Sequence, residues 1–138
     1  MAEAMPSIDA WLKEAKQDPE FARCGMYLVH NGVVRATPRC LARDEASCDE
    51  RGGVDANQTV SSMLFDYDQQ SVDAAVASTR ALPGIFYVRV WLNRGELAVG
   101  DDIMLVLVAG DIRPRVIDAL QSLVSTLKNT CVREVERA

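Results

Sequence analysis

The sequence predicts an α+β fold in which three helices pack on a mixed β-sheet. Three observations lead to this class. Strand-like segments come in pairs between helix-like segments, residues 103–109 are apolar at every position, and the last long segment carries an apolar stripe at helical spacing. No repeat or low-complexity tract interrupts this order, so we expect residues 1–138 to form one domain.

The first helix and strand are predicted near the N-terminus. Ser7 is a favourable N-cap, and the apolar residues after it recur at helical spacing until the helix ends between Gln17 and Pro19. The apolar run Cys24–His30 predicts a strand. The Asn31-Gly32 pair that follows is typical of a hairpin turn, so we expect Val33 to begin a return strand.

The middle of the chain loses this periodicity and then regains it. Residues 37–58 are polar, mixed in charge and aperiodic, and they predict a mobile loop. Residues 59–66 predict a further strand. Ser71 is expected to cap a second helix, which Leu82-Pro83-Gly84 would end.

The last third of the chain gives the clearest pattern. Ile85–Leu92 alternates as a strand, a turn is expected at residues 93–96, and the uniformly apolar Ile103–Ala109 predicts a central buried strand. Asp111 as cap and Pro114 in the first turn predict the start of the last helix. Its apolar stripe consists of Val116, Ile117, Leu120, Leu123, Val124, Leu127 and Cys131.

Composition excludes several function classes. Twenty acidic residues oppose 15 basic ones, giving a formal net charge of −5, so the chain is a poor binder of nucleic acid or of an anionic membrane. No apolar run reaches the length of a transmembrane helix, and the N-terminal MAEAMPSIDAW lacks the regions of a signal peptide. We therefore expect a cytoplasmic protein that can still hold a small anion in a local basic cleft.

The residues that commonly hold metals are few and scattered. Cys24, Cys40, Cys48 and Cys131 contain no C-x-x-C pair, and His30 is the single histidine. We expect free thiols, no metal and no cofactor. His30 lies in the apolar run GMYLVHNGVV, where a histidine is more often a sheet residue than a catalytic base.

Three basic residues are better placed for an anion. Arg35 follows an apolar strand, and Arg113 lies at the start of the last helix, where free N–H groups and the helix dipole favour anions, although Asp111 competes for those donors. Lys128 is predicted to border the buried face of the same helix, about 20° beyond its apolar stripe.

The distance between two of these cations indicates that a site containing both would need two chains. Arg113 and Lys128 are 15 positions apart, which is about 22 Å along a helix axis. They cannot hold one small ligand from the same chain. If both serve one site, a twofold dimer must build it, and it would then contain two such sites.

The segment VWLNRGELAVGDDIMLVLVAGDIRPRVIDALQSLVSTLKN resembles the large, catalytic subunit of molybdopterin synthase, the MoaE family. The upstream NGVVR is similar to the family's Gly-x-Val-Arg, and the resemblance extends roughly from Gly25 to Lys128. It implies an α/β hammerhead-like fold, and a homodimer at the centre of a heterotetramer with a small ubiquitin-like subunit that ends in Gly-Gly.

The resemblance also implies a reaction. The family converts cyclic pyranopterin monophosphate into molybdopterin by adding two sulfur atoms from the thiocarboxylated C-terminus of the small subunit. By position, Arg35 and Arg113 match family arginines that bind the substrate phosphate. Lys128 matches the catalytic lysine late in the last helix.

The sequence departs from the family pattern at several positions. Ile112 replaces a histidine, Leu92-Asn93 replaces His-Arg, and Val135 replaces a second lysine within the segment CVREVE, in which Arg133 is the only cation. The alternative is therefore a catalytically degenerate paralogue that binds a pterin-like anion or a protein partner. A purely structural dimer is a third reading.

Overall fold

The computed structural model describes residues 3–37 and 59–138 of the chain. The loop expected at residues 37–58 lies outside them except for Thr37. Three α-helices are formed by the described residues: α1 (Ile8–Gln17), α2 (Gln69–Arg80) and α3 (Arg113–Thr126). A 3₁₀ helix covers Pro19–Arg23, and a π-helical turn covers Leu127–Cys131 directly after α3.

Six strands form two three-stranded sheets. The strands are β1 (Met26–Val33), β2 (Ser62–Tyr67), β3 (Ile85–Leu92), β4 (Gly95–Ala98), β5 (Asp102–Gly110) and β6 (Val132–Arg137). One sheet has the order β1-β5-β3 and the other β4-β2-β6, and every pairing in them is antiparallel. The predicted α+β class with three helices is confirmed, with the strands divided between two antiparallel sheets where the sequence predicted one mixed sheet.

Strand β5 lies at the centre of the first sheet, as its apolar sequence predicts. Residues 103–109 of this strand are all buried. Its two faces contribute side chains to two different apolar clusters, because side chains alternate across a strand. Leu105 and Leu107 pack with Trp11 and Ala15 of α1, whereas Val106 and its neighbours pack with α2, α3 and the second sheet.

The predicted hairpin at Asn31-Gly32 is wrong. Strand β1 continues through both residues while pairing with β5, with a register irregularity only between Gly32 and Val33. The Asn31 side-chain amide donates to the Met104 carbonyl oxygen at 2.9 Å, so it joins the neighbouring strand instead of closing a turn. Arg35 consequently follows a single eight-residue strand rather than a hairpin.

The N-terminal ends of the helices differ in how they are capped. Ser7 caps α1 as predicted, its Oγ accepting from the Ala10 N–H at 3.2 Å. Helix α2 is capped by Asp68 rather than Ser71, which instead donates its backbone N–H and hydroxyl to that carboxylate. Helix α3 has Ile112 at the N-cap position, without a side-chain cap.

The residues flanking β3 and α3 form two strands that the sequence did not predict. Strand β4 begins at Gly95, inside the predicted turn, and β6 begins at Val132, directly after the π-helical turn. Both pair with β2 from opposite sides. Asn93 follows directly after β3 and is buried. Its Nδ2 donates to the Glu3 and Asp102 carbonyl oxygens.

Within the described residues, no helix is long and apolar enough to cross a membrane.

Candidate functional site

A cavity of about 200 Å³ lies where the end of β1 meets β6 and the π-helical turn. Two of the three predicted site residues, Arg35 and Lys128, line it together. The other lining residues combine one histidine, two carboxylates and a set of apolar groups: His30, Gly32, Val33, Met63, Ile103, Met104, Glu134 and Glu136. The cavity is therefore a polar site with apolar walls, a combination typical of small-molecule sites.

The π-helical turn positions Lys128 at this cavity. Leu127 is completely buried and Cys131 is 4% exposed, so both ends of the turn are fixed in the core. Lys128 itself is partly buried. The prediction that it borders the buried face is confirmed, because the apolar side of α3 continues into this turn and places the lysine at its edge.

Val34, the buried residue before Arg35, fixes the backbone where β1 ends at the cavity. Val34 is 1% exposed, its N–H donates to the Asp101 carbonyl oxygen at 3.0 Å, and its carbonyl accepts from the Gly100 N–H at 2.8 Å. The Arg35 side chain leaves this anchored backbone as an exposed group. Such a guanidinium is suited to bidentate contacts with phosphate or carboxylate.

His30 is a site residue that the sequence interpretation set aside as a sheet residue. Its Nε2 is buried and has no hydrogen-bond partner within residues 3–37 and 59–138. Burial, followed by the charge of Lys128, lowers the pKa of the His30 imidazole below its ordinary value. The alternation of β1 could have revealed it, because His30 and Gly32 lie two positions apart and face the same side.

Two carboxylates reach the cavity from β6, a strand that the sequence did not predict. Glu134 and Glu136 lie two residues apart and line the cavity together. In VREVER the two glutamates occupy alternate positions, a spacing that places both side chains on one face of a strand. A cavity predicted from cations alone therefore contains charges of both signs.

Arg113 does not lie in this cavity. It begins α3, while Lys128 follows the other end of that helix, and Arg113 is not among the lining residues. The 14 residues of α3 separate the two positions by about 21 Å along the axis. Asp111 accepts the Ile112 N–H at 2.7 Å and pairs with Arg115, so a carboxylate occupies this helix start, as the sequence suggested.

The other potential metal ligands among the described residues do not form a metal centre. No group of three or more His, Cys, Asp or Glu within the described residues is arranged to hold a metal ion. Cys24 and Cys131 are free thiols, while Cys40 and Cys48 lie outside the described residues.

Comparison with known proteins identifies the family. A family model described as MoaE protein matches residues 2–130, which is most of the chain. The chain belongs to the MoaE family. A search of curated proteins found no significant match.

Solved structures share the fold of this MoaE protein at low sequence identity. Molybdopterin synthase from Staphylococcus aureus has a TM-score of 0.67 and 13% identity, with 96% of this chain and 86% of that chain covered. A MoaE protein from Burkholderia ambifaria MC40-6 gives 0.64 and 16%, with 97% and 84% covered. A complex of subunits 1 and 2 of molybdopterin-converting factor from Helicobacter pylori 26695 gives 0.62 and 12%, with 97% and 80% covered.

Proposed function

We propose that this MoaE protein is the large subunit of a molybdopterin synthase, which transfers sulfur to cyclic pyranopterin monophosphate. Membership of the family supports a role in molybdenum cofactor biosynthesis. The finer proposal, sulfur transfer to the pterin, is supported by one observation. Arg35 and Lys128 are 93 positions apart in the sequence (128 − 35), and both line the same cavity.

In this proposal Arg35 binds the substrate phosphate. A guanidinium forms two parallel charge-assisted hydrogen bonds with phosphate oxygens, which fixes the orientation of the group as well as its position. The anchored Val34 backbone restricts where the Arg35 side chain begins. The phosphate is thereby held at one side of the cavity, and the pterin extends toward the apolar wall that Met63 and Met104 provide.

Lys128 is the proposed catalytic residue. In sulfur transfer the thiocarboxylate sulfur bonds to a pterin carbon and displaces an oxygen substituent from it. Water then attacks the acyl carbon of the resulting thioester and breaks its bond to sulfur, which leaves a carboxylate on the small subunit. Negative charge develops on the acyl oxygen and on the departing sulfur in this second step. An ammonium group held at the edge of a partly buried cavity stabilises that charge and can deliver a proton. The π-helical turn gives it a fixed origin between the buried Leu127 and Cys131.

The sulfur donor in this proposal is a small subunit with a thiocarboxylated Gly-Gly C-terminus. The structural relative from Helicobacter pylori is a complex of subunits 1 and 2, which supports a partner of this kind. We place the reaction in the cytoplasm. A homodimer of the large subunit would bring Arg113 of one chain to the Arg35 and Lys128 of the other, which α3 alone is too long to do.

The test is reconstitution with a thiocarboxylated small subunit and cyclic pyranopterin monophosphate, with molybdopterin formation as the readout. The proposal predicts product formation that depends on Lys128. Lys13→Met should leave it unaffected, because Lys13 is an exposed residue of α1 that does not line this cavity. Absence of molybdopterin, with a competent synthase active in parallel, would overturn the proposal.

A second function is favoured by a specific observation at the same cavity. Glu134 and Glu136 line it, Val135 stands where the family resemblance places a lysine, and Ile112 stands where it places a histidine. These features fit a catalytically degenerate paralogue that binds a pterin-like anion or a protein partner. Calorimetry discriminates the two, because binding of the cyclic pterin without turnover favours the paralogue.

A further inference from the structure

We propose that His30 is an additional substrate-binding residue, whose Nε2 donates a hydrogen bond to the phosphate group bound by Arg35 and Lys128 and takes up a proton as the anion binds. This inference rests on the proposed function for the class of ligand, a phosphate ester. It assigns to this protein's own histidine a role in anion recognition, although the family resemblance places its histidine at Ile112 and not at His30.

The position of the imidazole is the first argument. His30 lines the same cavity as the two cations, and its Nε2 is buried without a hydrogen-bond partner among the described residues. A buried polar atom of this kind is costly unless a ligand or a solvent molecule satisfies it. Because His30 lines this cavity of about 200 Å³, a small rotation of the imidazole would bring Nε2 to a ligand bound there.

Gly32 keeps the space beside the imidazole open. A Cβ atom at Gly32 would lie 3.7 Å from His30 Nε2 and 3.2 Å from Met104 Cγ. The second distance is already tighter than ordinary contact, so a larger side chain at residue 32 would fill the space that adjoins Nε2. The glycine therefore leaves room beside the buried ring nitrogen.

The charge balance of the cavity is the second argument. Arg35 comes from the segment after β1 and Lys128 from the π-helical turn, while Glu134 and Glu136 both come from β6. With His30 neutral, the two cations and two carboxylates described here sum to zero. A phosphate anion gains little from a cavity without net charge, and protonation of His30 makes the cavity positive.

Among the described residues that line the cavity, the remaining elements contribute no titratable group. Strands β2 and β5 line the cavity through Met63, Ile103 and Met104. Helix α3 also packs on β1, and the residues that it buries are Val116, Ala119 and Leu123. Among the described residues, Lys128 is the charged group that shifts the pKa of His30 in the free protein.

The direction of the coupling follows from these charges. In the free protein, burial and then Lys128 hold the His30 pKa below its ordinary value. A bound anion favours the imidazolium and raises that pKa. Affinity for the anion therefore increases as pH falls through the bound-state pKa, and it levels off below the free-state pKa.

Nuclear magnetic resonance tests this directly, because His30 is the single histidine in the chain and its imidazole signals need no assignment. The full chain is titrated with pH alone, with inorganic phosphate, and with sulfate, whose charge stays constant over the range in which histidine titrates. We expect both anions to move the His30 midpoint to higher pH. Arg35→Ala should abolish the movement, and Lys13→Met should leave it unchanged.

Two variants of His30 separate hydrogen bonding from protonation. His30→Gln keeps a neutral donor, so it should bind sulfate without the dependence on pH. His30→Leu should weaken sulfate binding at acidic pH by about tenfold or more, as expected for loss of a charge-assisted hydrogen bond. Both variants are compared by calorimetry with wild type.

A His30 midpoint that stays in place at saturating phosphate and sulfate overturns the inference, as does one that moves equally in Arg35→Ala. These outcomes are distinct from failure of the proposed reaction. Molybdopterin formation with an unmoved His30 rejects the inference alone, whereas a moved midpoint without molybdopterin formation rejects the synthase and retains the anion site.

Discussion

Arg35 and Lys128 have different proposed roles at the level of single residues, although they line one cavity. A residue that binds the phosphate equally in the ground and transition states affects KM. A residue that meets charge only as it develops affects kcat. The two cations can therefore be assigned separately by steady-state kinetics.

We expect Arg35→Ala to raise KM for the cyclic pterin about tenfold or more, because it removes charge-assisted hydrogen bonds to the phosphate. Lys128→Met should lower kcat about a hundredfold or more, because it removes the group that stabilises developing charge. Kinetics on both variants, with Lys13→Met as the control, measure these effects. Equal losses of kcat in both variants would contradict the division of roles.

At the level of secondary structure, two N-caps of different chemistry hold α1 and α2. Ser7 caps α1 with a hydroxyl, and Asp68 caps α2 with a carboxylate that accepts from Ser71. The hydroxyl and N–H of Ser71 lower the pKa of the Asp68 carboxyl. Only the second cap responds to acid, because the serine hydroxyl does not titrate.

Ser7→Ala should reduce the free energy of unfolding by about 1 kcal/mol at every pH. Asp68→Ala should reduce it at neutral pH, and its difference from wild type should vanish as pH falls through the lowered folded-state pKa. The sign follows because a group with a depressed folded-state pKa contributes its full stabilisation above the unfolded-state pKa and loses it as pH falls through the folded-state pKa. Thermal melts of both variants across acidic pH provide the measurement, and a pH-independent Asp68→Ala difference would contradict the assignment.

The central strand β5 provides a packing prediction. Leu107 is completely buried in the cluster that α1 covers, whereas Leu82 is 43% exposed after α2. Leu107→Ala should cost about 2–5 kcal/mol of unfolding free energy through lost burial and a residual cavity. Leu82→Ala should stay within about 0.5 kcal/mol. Denaturant unfolding compares them, and similar losses would mean that β5 is not the core strand.

The elements that the sequence predicted correctly are those with strong local patterns. Strand β5 is apolar at every position from Ile103 to Ala109, and α3 carries a continuous apolar stripe, so each can be predicted without knowledge of its neighbours. Asn31-Gly32 was misread because its local turn signal is overridden by pairing with β5, more than 70 positions away. Strand β6 was missed because its partner β2 is equally remote in sequence.

The candidate site was predictable only in part for the same reason. The family resemblance singled out Arg35 and Lys128, and the structure brings both to one cavity. Glu134 and Glu136 could not be placed there without β6. His30 could not be placed there while its strand was expected to end at a hairpin.

At the scale of the whole molecule, the described residues place two of the predicted cations together and the third away from them. Arg35 and Lys128 share a cavity, and Arg113 lies beyond the length of α3. A composite site in a twofold dimer would combine Arg35 and Lys128 of one chain with Arg113 of the other. Such a dimer has two sites, each of which draws on both chains.

The most direct test of this composite site is complementation between two inactive variants. Lys128→Met and Arg113→Ala chains are co-expressed with different tags, and the purified heterodimer is assayed for molybdopterin formation beside both homodimers. In the heterodimer one site carries both defects and the other carries none, so we predict about half of wild-type activity per dimer. A heterodimer as inactive as its parents, or a strictly monomeric active protein, would contradict the account.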